Sequence, residues 1–151
     1  MNSIRLVDVY SEPAESRLST LFLYELLKER DPIANISHHE MPTFKQHRDF
    51  VDSLPYKSWY TISVVSEPQK TLLVGETVGA VYLTYLNEIG ISILKARQGR
   101  GYGETAVRML MAMNHGKRFL ANIAPGNARS IAMFEGLGFK TIQITKAKEP
   151  E

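Results

Sequence analysis

The chain has no cysteine. That removes disulfides, thiolate metal sites and cysteine nucleophiles together. It also has no apolar run approaching the roughly 20 residues that span a bilayer, so no membrane association is expected. The formal net charge is only +2, too small an excess to point to nucleic acid, although a local basic patch would still serve a phosphorylated ligand. The N-terminus, MNSIRLVDVY, reads as a first strand and lacks the layout of a signal peptide. A cytoplasmic setting is the simplest inference. No repeat, low-complexity tract or linker divides the sequence. One domain over residues 1–146 is therefore expected, with a frayed tail from 147 to 151.

What is present is the composition of a globular protein, 44% hydrophobic and 23% charged over 151 residues, enough to bury a sizeable core. Apolar residues on both faces of Ile4 to Tyr10 predict a first strand covered on both sides. Leu18, Leu21, Phe22, Leu26 and Leu27 fall near helical spacing and predict a helix within residues 14–30. Residues 31–42, with His38, His39 and Glu40, show no clear period and read as loop. Thr43 with Gln46 three residues on is a capping-box pattern, opening a helix with Phe44, His47, Phe50, Val51 and Leu54 on one face. Pro55 closes it. Strands follow at 59–65, 71–74, 77–86 and 88–94, separated by turn residues, as in an antiparallel meander.

The second half alternates. A helix to about Asn114 precedes a short apolar strand, Phe119 to Ala124. Asn127 is placed to cap a helix from Ala128 to about Leu137, Gly138 to end it, and Lys140 to Thr145 to form a last strand. The order β-α-α-β-β-β-α-β-α-β predicts an α/β fold with one mixed sheet and helices on its faces.

Between strand 88–94 and the next helix stands Gln98-Gly99-Arg100-Gly101-Tyr102-Gly103-Glu104. A strand feeding a glycine-rich turn and then a helix start is a place where backbone amides face an anion. A P-loop would need Lys-Ser/Thr after the last glycine, where Glu104-Thr105 stands. A Rossmann turn is closer, since Gly101 to Ala106 satisfies G-x-G-x-x-A. It lacks an acid about 20 residues on to hold a ribose, and the strands before it read as antiparallel.

The block from Gln98 to Gly103 resembles the Q/R-x-x-G-x-G/A signature of the GNAT family of N-acetyltransferases. The segment Asn127 to Phe139 is similar to that family's N-x-x-A/S-x-x-L-Y-x-x-x-G-F block, with Met133-Phe134 where Leu-Tyr is usual. Glu88-Ile89-Gly90 and Gly101 to Val107 resemble the branch that acetylates ribosomal-protein N-termini and amino sugars. The likeness covers most of the chain from about Trp59 onward. It implies a splayed, mostly antiparallel central sheet and acetyl-CoA as co-substrate. The pyrophosphate would be cradled by Gln98, Gly99, Arg100, Gly101, Tyr102, Gly103 and Glu104. Pantetheine would lie along Ile91, Ile93 and Leu94, with Asn127 beside it. The other partner would be an amine acceptor, and monomer and homodimer both remain open. No metal is called for.

An amine must attack the acetyl carbonyl. Without cysteine, and with no G-x-S-x-G block, direct transfer remains. Glu88 is the first candidate base, its plain alternative being a solvated strand-end carboxylate. Phe134 replaces the tyrosine that usually serves as acid, so water, Tyr102 or Ser130 would have to supply that proton, if one is needed. His38, His39, His47 and Trp59 are candidates for the acceptor side, although His47 and Trp59 also fit a core. The expected activity is transfer of an acetyl group to a primary amine of a small molecule or amino sugar. Protein N-terminal or lysine acetylation, and a non-catalytic acyl-CoA-binding sensor, are the alternatives.

Overall fold

The computed structural model describes residues 3–30, 40–65 and 76–151. Strands β1 (Ser3–Asp8), β2 (Ser58–Val65), β3 (Glu76–Leu83) and β4 (Ile89–Ile93) form one sheet in the order β1-β2-β3-β4, each neighbour antiparallel. Helices α1 (Ser19–Lys28), α2 (Phe44–Asp52), α3 (Tyr102–Met113) and α4 (Ala128–Gly136) flank it. This is the α/β architecture that the sequence predicts. No helix among the described residues is long and apolar enough to cross a membrane.

Strand alternation decides what each face buries. Ile62 and Val64 of β2, Val81 and Leu83 of β3 and Ile89 of β4 pack against Tyr102, Ala106, Val107 and Leu110 of α3 and Phe134 of α4. Trp59 and Ala80 turn to the other side and meet Leu23 and Leu26 of α1 and Val51 of α2. Each such aliphatic side chain contributes about 1.5–3 kcal/mol when fully buried. Thr43 caps α2 as its spacing predicts, its hydroxyl accepting from the Gln46 amide at 3.1 Å and the Gln46 side chain accepting from the Thr43 amide at 2.9 Å.

Several elements depart from expectation. The first strand stops at Asp8, whose carboxylate accepts from the Tyr10 amide and bends the chain. Its helix starts only at Ser19, because residues 12–18 are tied elsewhere. Arg17 donates to the carbonyls of Val9 and Glu12 and pairs with Asp52, while the Glu12 carboxylate takes the Leu18 amide. β3 ends at Leu83, and a turn through Asn87, with φ of 62°, leads into β4. The strand expected at 71–74 lies outside the described residues.

Two expected strands are corrected. Phe119 to Ala124 makes a single parallel bridge, Glu88 with Leu120. Lys140 to Thr145 forms no strand. Ile142 and Ile144 are 64% and 78% exposed, so the alternating pattern is there without a neighbouring edge to satisfy it. Residues 147–151 are exposed and belong to no helix or strand.

Candidate functional site

The glycine turn is shaped by its backbone. Gly99 and Gly101 take φ of 79° and 83°, where any side chain would strain the chain. Gly101 stands at the N-cap of α3 and has no side chain to cap it. As a result none of the amides of residues 99–104 donates a hydrogen bond among the described residues. The pattern resumes only at Thr105, whose amide donates to the Gly101 carbonyl at 3.1 Å. Six consecutive free donors at the positive end of a helix make a strong anion site.

The charges around the turn agree. Glu104 pairs with Arg108 at 2.9 Å, and Arg97 pairs with Glu76. Arg100 and Arg129 have no carboxylate partner among the described residues. Arg129, in the first turn of α4, reaches over so that its Nη1 lies 4.0 Å from where a Gly99 side chain would begin. A cleft of about 320 Å³ opens at the turn itself, lined by Arg100, Gly101, Tyr102 and Glu104 together with Ile4, Thr105 and Arg108.

The edge of β4 leads away from this turn. The Ile89 amide donates to the Leu120 carbonyl at 2.8 Å, and the Leu120 amide to the Asn87 carbonyl at 3.0 Å. No further rung forms between these segments. Alternation points the backbone groups of Ile91 and Ile93 toward the same open edge as Ile89. The Gln98 side-chain amide donates to the Ile93 carbonyl at 3.1 Å. Among the described residues, the carbonyl of Ile89, the amide and carbonyl of Ile91 and the amide of Ile93 are left free.

The expected site residues therefore divide. Gly99, Arg100, Gly101, Gly103 and the backbone of Tyr102 and Glu104 come together at the turn. Gln98 ties the turn to β4 through its side chain. Leu94 points away, since its amide donates to Val78 at 2.8 Å and its carbonyl accepts from Arg97. The Tyr102 ring is 8% exposed and belongs to the core. Asn127 caps α4, accepting from the Ser130 amide at 3.3 Å. Phe134 is 3% exposed and stacks edge-on against Phe139.

On the opposite face of the sheet stands Glu88, half-buried at the last rung before the free edge. Its carboxylate lies 3.4 Å from the Thr84 hydroxyl. Trp59 is buried in an aromatic cluster with Phe50, Tyr56 and Tyr82. Burial, with the Tyr82 hydroxyl beside it, pushes the Tyr56 phenol well above its ordinary range. His47 is buried between α1 and α2 with Nε2 unpartnered, and burial holds it below the usual histidine value against the pull of the Thr20 backbone. It does not join Glu88 in any contact. His38 and His39 lie outside the described residues.

Sequence reasoning missed Arg129 and Tyr82. A cation in the first turn of a helix opposes the dipole, and a glycine inside a strand marks a close approach by another group. Both signals were present, at Arg129 and at Gly90 opposite Tyr82.

A family model described as acetyltransferase (GNAT) domain matches residues 21–140. Among solved structures, a domain from Methanocaldococcus jannaschii DSM 2661 superposes with a TM-score of 0.75 at 21% identity, over 97% of this chain and 94% of that one. Spermidine N-acetyltransferase from Vibrio cholerae, in complex with CoA and spermine, gives 0.66 at 14% identity, over 91% and 79%. The protein yncA from Salmonella typhimurium, solved with acetyl-CoA, gives 0.64 at 18%, over 92% and 79%. At these identities the likeness is one of fold. A comparison with curated protein sequences finds no match.

Proposed function

The chain belongs to the acetyltransferase (GNAT) domain family, and from that premise we propose that it moves an acetyl group from acetyl-CoA directly to a primary amine of a small molecule or amino sugar. The run of six free amides at 99–104 carries this reading. A pyrophosphate accepts from those amides, and the start of α3 adds roughly 0.3–1 kcal/mol for each favourable charge. Arg100 and Arg129 close on the same charge, and Asn127 stands at the start of α4 beside the pantetheine arm. Pantetheine then adds to the free edge of β4 at Ile91 and Ile93 as an extra strand would. A free amide on that edge polarises the thioester carbonyl.

The amine nitrogen attacks that carbonyl carbon, forming C–N as C–S breaks. Glu88 takes the displaced proton, directly or through a water. The thiolate is protonated from solvent, because Phe134 has no proton to give and lies in the core. The setting this reading takes is a cytoplasmic monomer or homodimer.

The missing hydroxyl at Phe134 favours a second reading, an acyl-CoA-binding sensor that does not turn over. Thermal shift tests the donor, since acetyl-CoA at about 100 times its dissociation constant should stabilise by ~2.7 kcal/mol. CoA release across spermidine, glucosamine and peptides with a free α-amine or lysine tests turnover and separates small-molecule from protein acceptors. A shift without release identifies the sensor. Absence of any shift rejects both readings.

A further inference from the structure

The face of β4 that looks toward α1 and α2 carries Glu88, Gly90, Ser92 and Leu94 by strand alternation. Gly90 does not have a positive φ, so backbone freedom does not explain it. Space does. A Cβ at Gly90 would lie 2.0 Å from Cζ and 2.4 Å from the hydroxyl oxygen of Tyr82. Tyr82 pairs with Gly90 across the ladder, so its phenol crosses from β3 over β4. Its tip stands above the strand whose outer edge is free from Ile91 onward.

The ring is held there from several directions. Tyr56 stacks on it with centroids 3.8 Å apart and planes within 2°. Trp59 meets Tyr56 edge-on at 4.8 Å. Tyr10 fixes Tyr56 in turn, its hydroxyl donating to the Tyr56 carbonyl and accepting from the Tyr56 amide, both at 3.1 Å. Two residues before Tyr56, Leu54 takes φ of 52°, a conformation uncommon for a residue with a side chain. Glu88 lies on the same face, one alternation from Gly90, with its carboxylate beside Thr84. A carboxylate and a phenol hydroxyl thus flank the point where β4 loses its neighbour.

We infer that the Tyr82 hydroxyl positions the acceptor, accepting a hydrogen bond from the attacking amine so that its lone pair faces the thioester carbon at the free edge. This rests on the acetyl transfer proposed above. C–N forms and C–S breaks. The proton leaves nitrogen for Glu88 and one returns to sulfur from solvent, while Tyr82 keeps its own. A phenol is neutral at working pH, and burial pushes that of Tyr56 further up, so it supports the ring without competing as a base.

Tyr82→Phe tests the assignment, because it keeps the ring over Gly90 and removes only the hydroxyl. The donor is acetyl-CoA and the acceptors are spermidine, glucosamine and a tetrapeptide with a free α-amine. The variant should keep the melting temperature and the acetyl-CoA dissociation constant of wild type, and lose about tenfold or more in kcat/KM for the acceptor. Wild-type kcat/KM within twofold would overturn the inference. So would a parallel loss of melting temperature and acetyl-CoA affinity, which marks a packing role. No CoA release by wild type with any acceptor is a different failure, that of the acetyl-transfer reading, and takes this inference with it.

Discussion

Arg129 occupies the first turn of α4, where the helix dipole disfavours a cation, and no carboxylate among the described residues offsets it. Its guanidinium points instead at a turn already rich in free N–H groups. Such a concentration of positive potential is favourable only with an anion between the parts. Arg129→Ala should therefore weaken acetyl-CoA binding by about tenfold or more, the scale of one hydrogen bond to a charged group. Calorimetric titration measures it, and an unchanged dissociation constant would remove Arg129 from the site. The glycines were legible as residues, because their spacing before a helix start limits what the backbone can do. Arg129 was half legible. Its clash with the dipole can be read from Asn127 as N-cap, but its reach to Gly99 depends on how α4 packs beside the turn.

At the scale of elements, local devices were readable and partner-dependent ones were not. Thr43 and Gln46 stand three residues apart, and the capping box follows from that spacing alone. Thr43→Ala should cost about 1 kcal/mol in urea unfolding, and no loss would mean that packing against α1 holds α2 without its cap. Lys140 to Thr145 has an equally clear two-residue period and forms nothing, because a strand needs a second backbone that its own sequence does not contain. His47 joins α1 to α2 and makes a pH prediction. Burial lowers its folded pKa below 6.5, so the unfolded chain binds the proton first as pH falls. Its contribution to stability is therefore intact above about pH 6.5 and lost progressively below it, levelling beneath the folded value. Urea midpoints between pH 8 and 5 should show this fall in wild type, and a shallower one in His47→Asn. Parallel curves would assign the acid loss to other groups.

Across the whole molecule, the sheet separates the two tasks that the proposed transfer requires. α3 and α4 cover one face and bring the glycine turn to the end of β4. α1 and α2 cover the other, where Glu88, Tyr82 and the aromatic cluster lie. Between them runs an edge that has a neighbour at Leu120 and, among the described residues, none beyond it. The order of elements and the antiparallel meander could be read from periodicity. The opening beside β4 could not, since residues 119–124 have strand composition and only the tertiary fold stops their pairing after one bridge. Expectation of a splay came from the family resemblance. The face proposed for the acceptor stayed least legible because its aromatic wall joins Tyr10, Tyr56, Trp59 and Tyr82 from distant parts of the chain. The central claim is that this edge and turn together hold acetyl-CoA. Backbone amide shifts from ¹H–¹⁵N correlation spectra, recorded as acetyl-CoA is added, test it most directly. Binding as proposed moves the amides of Gly99 through Glu104 together with those of Ile91 and Ile93. Saturating acetyl-CoA that leaves those amides in place would contradict it.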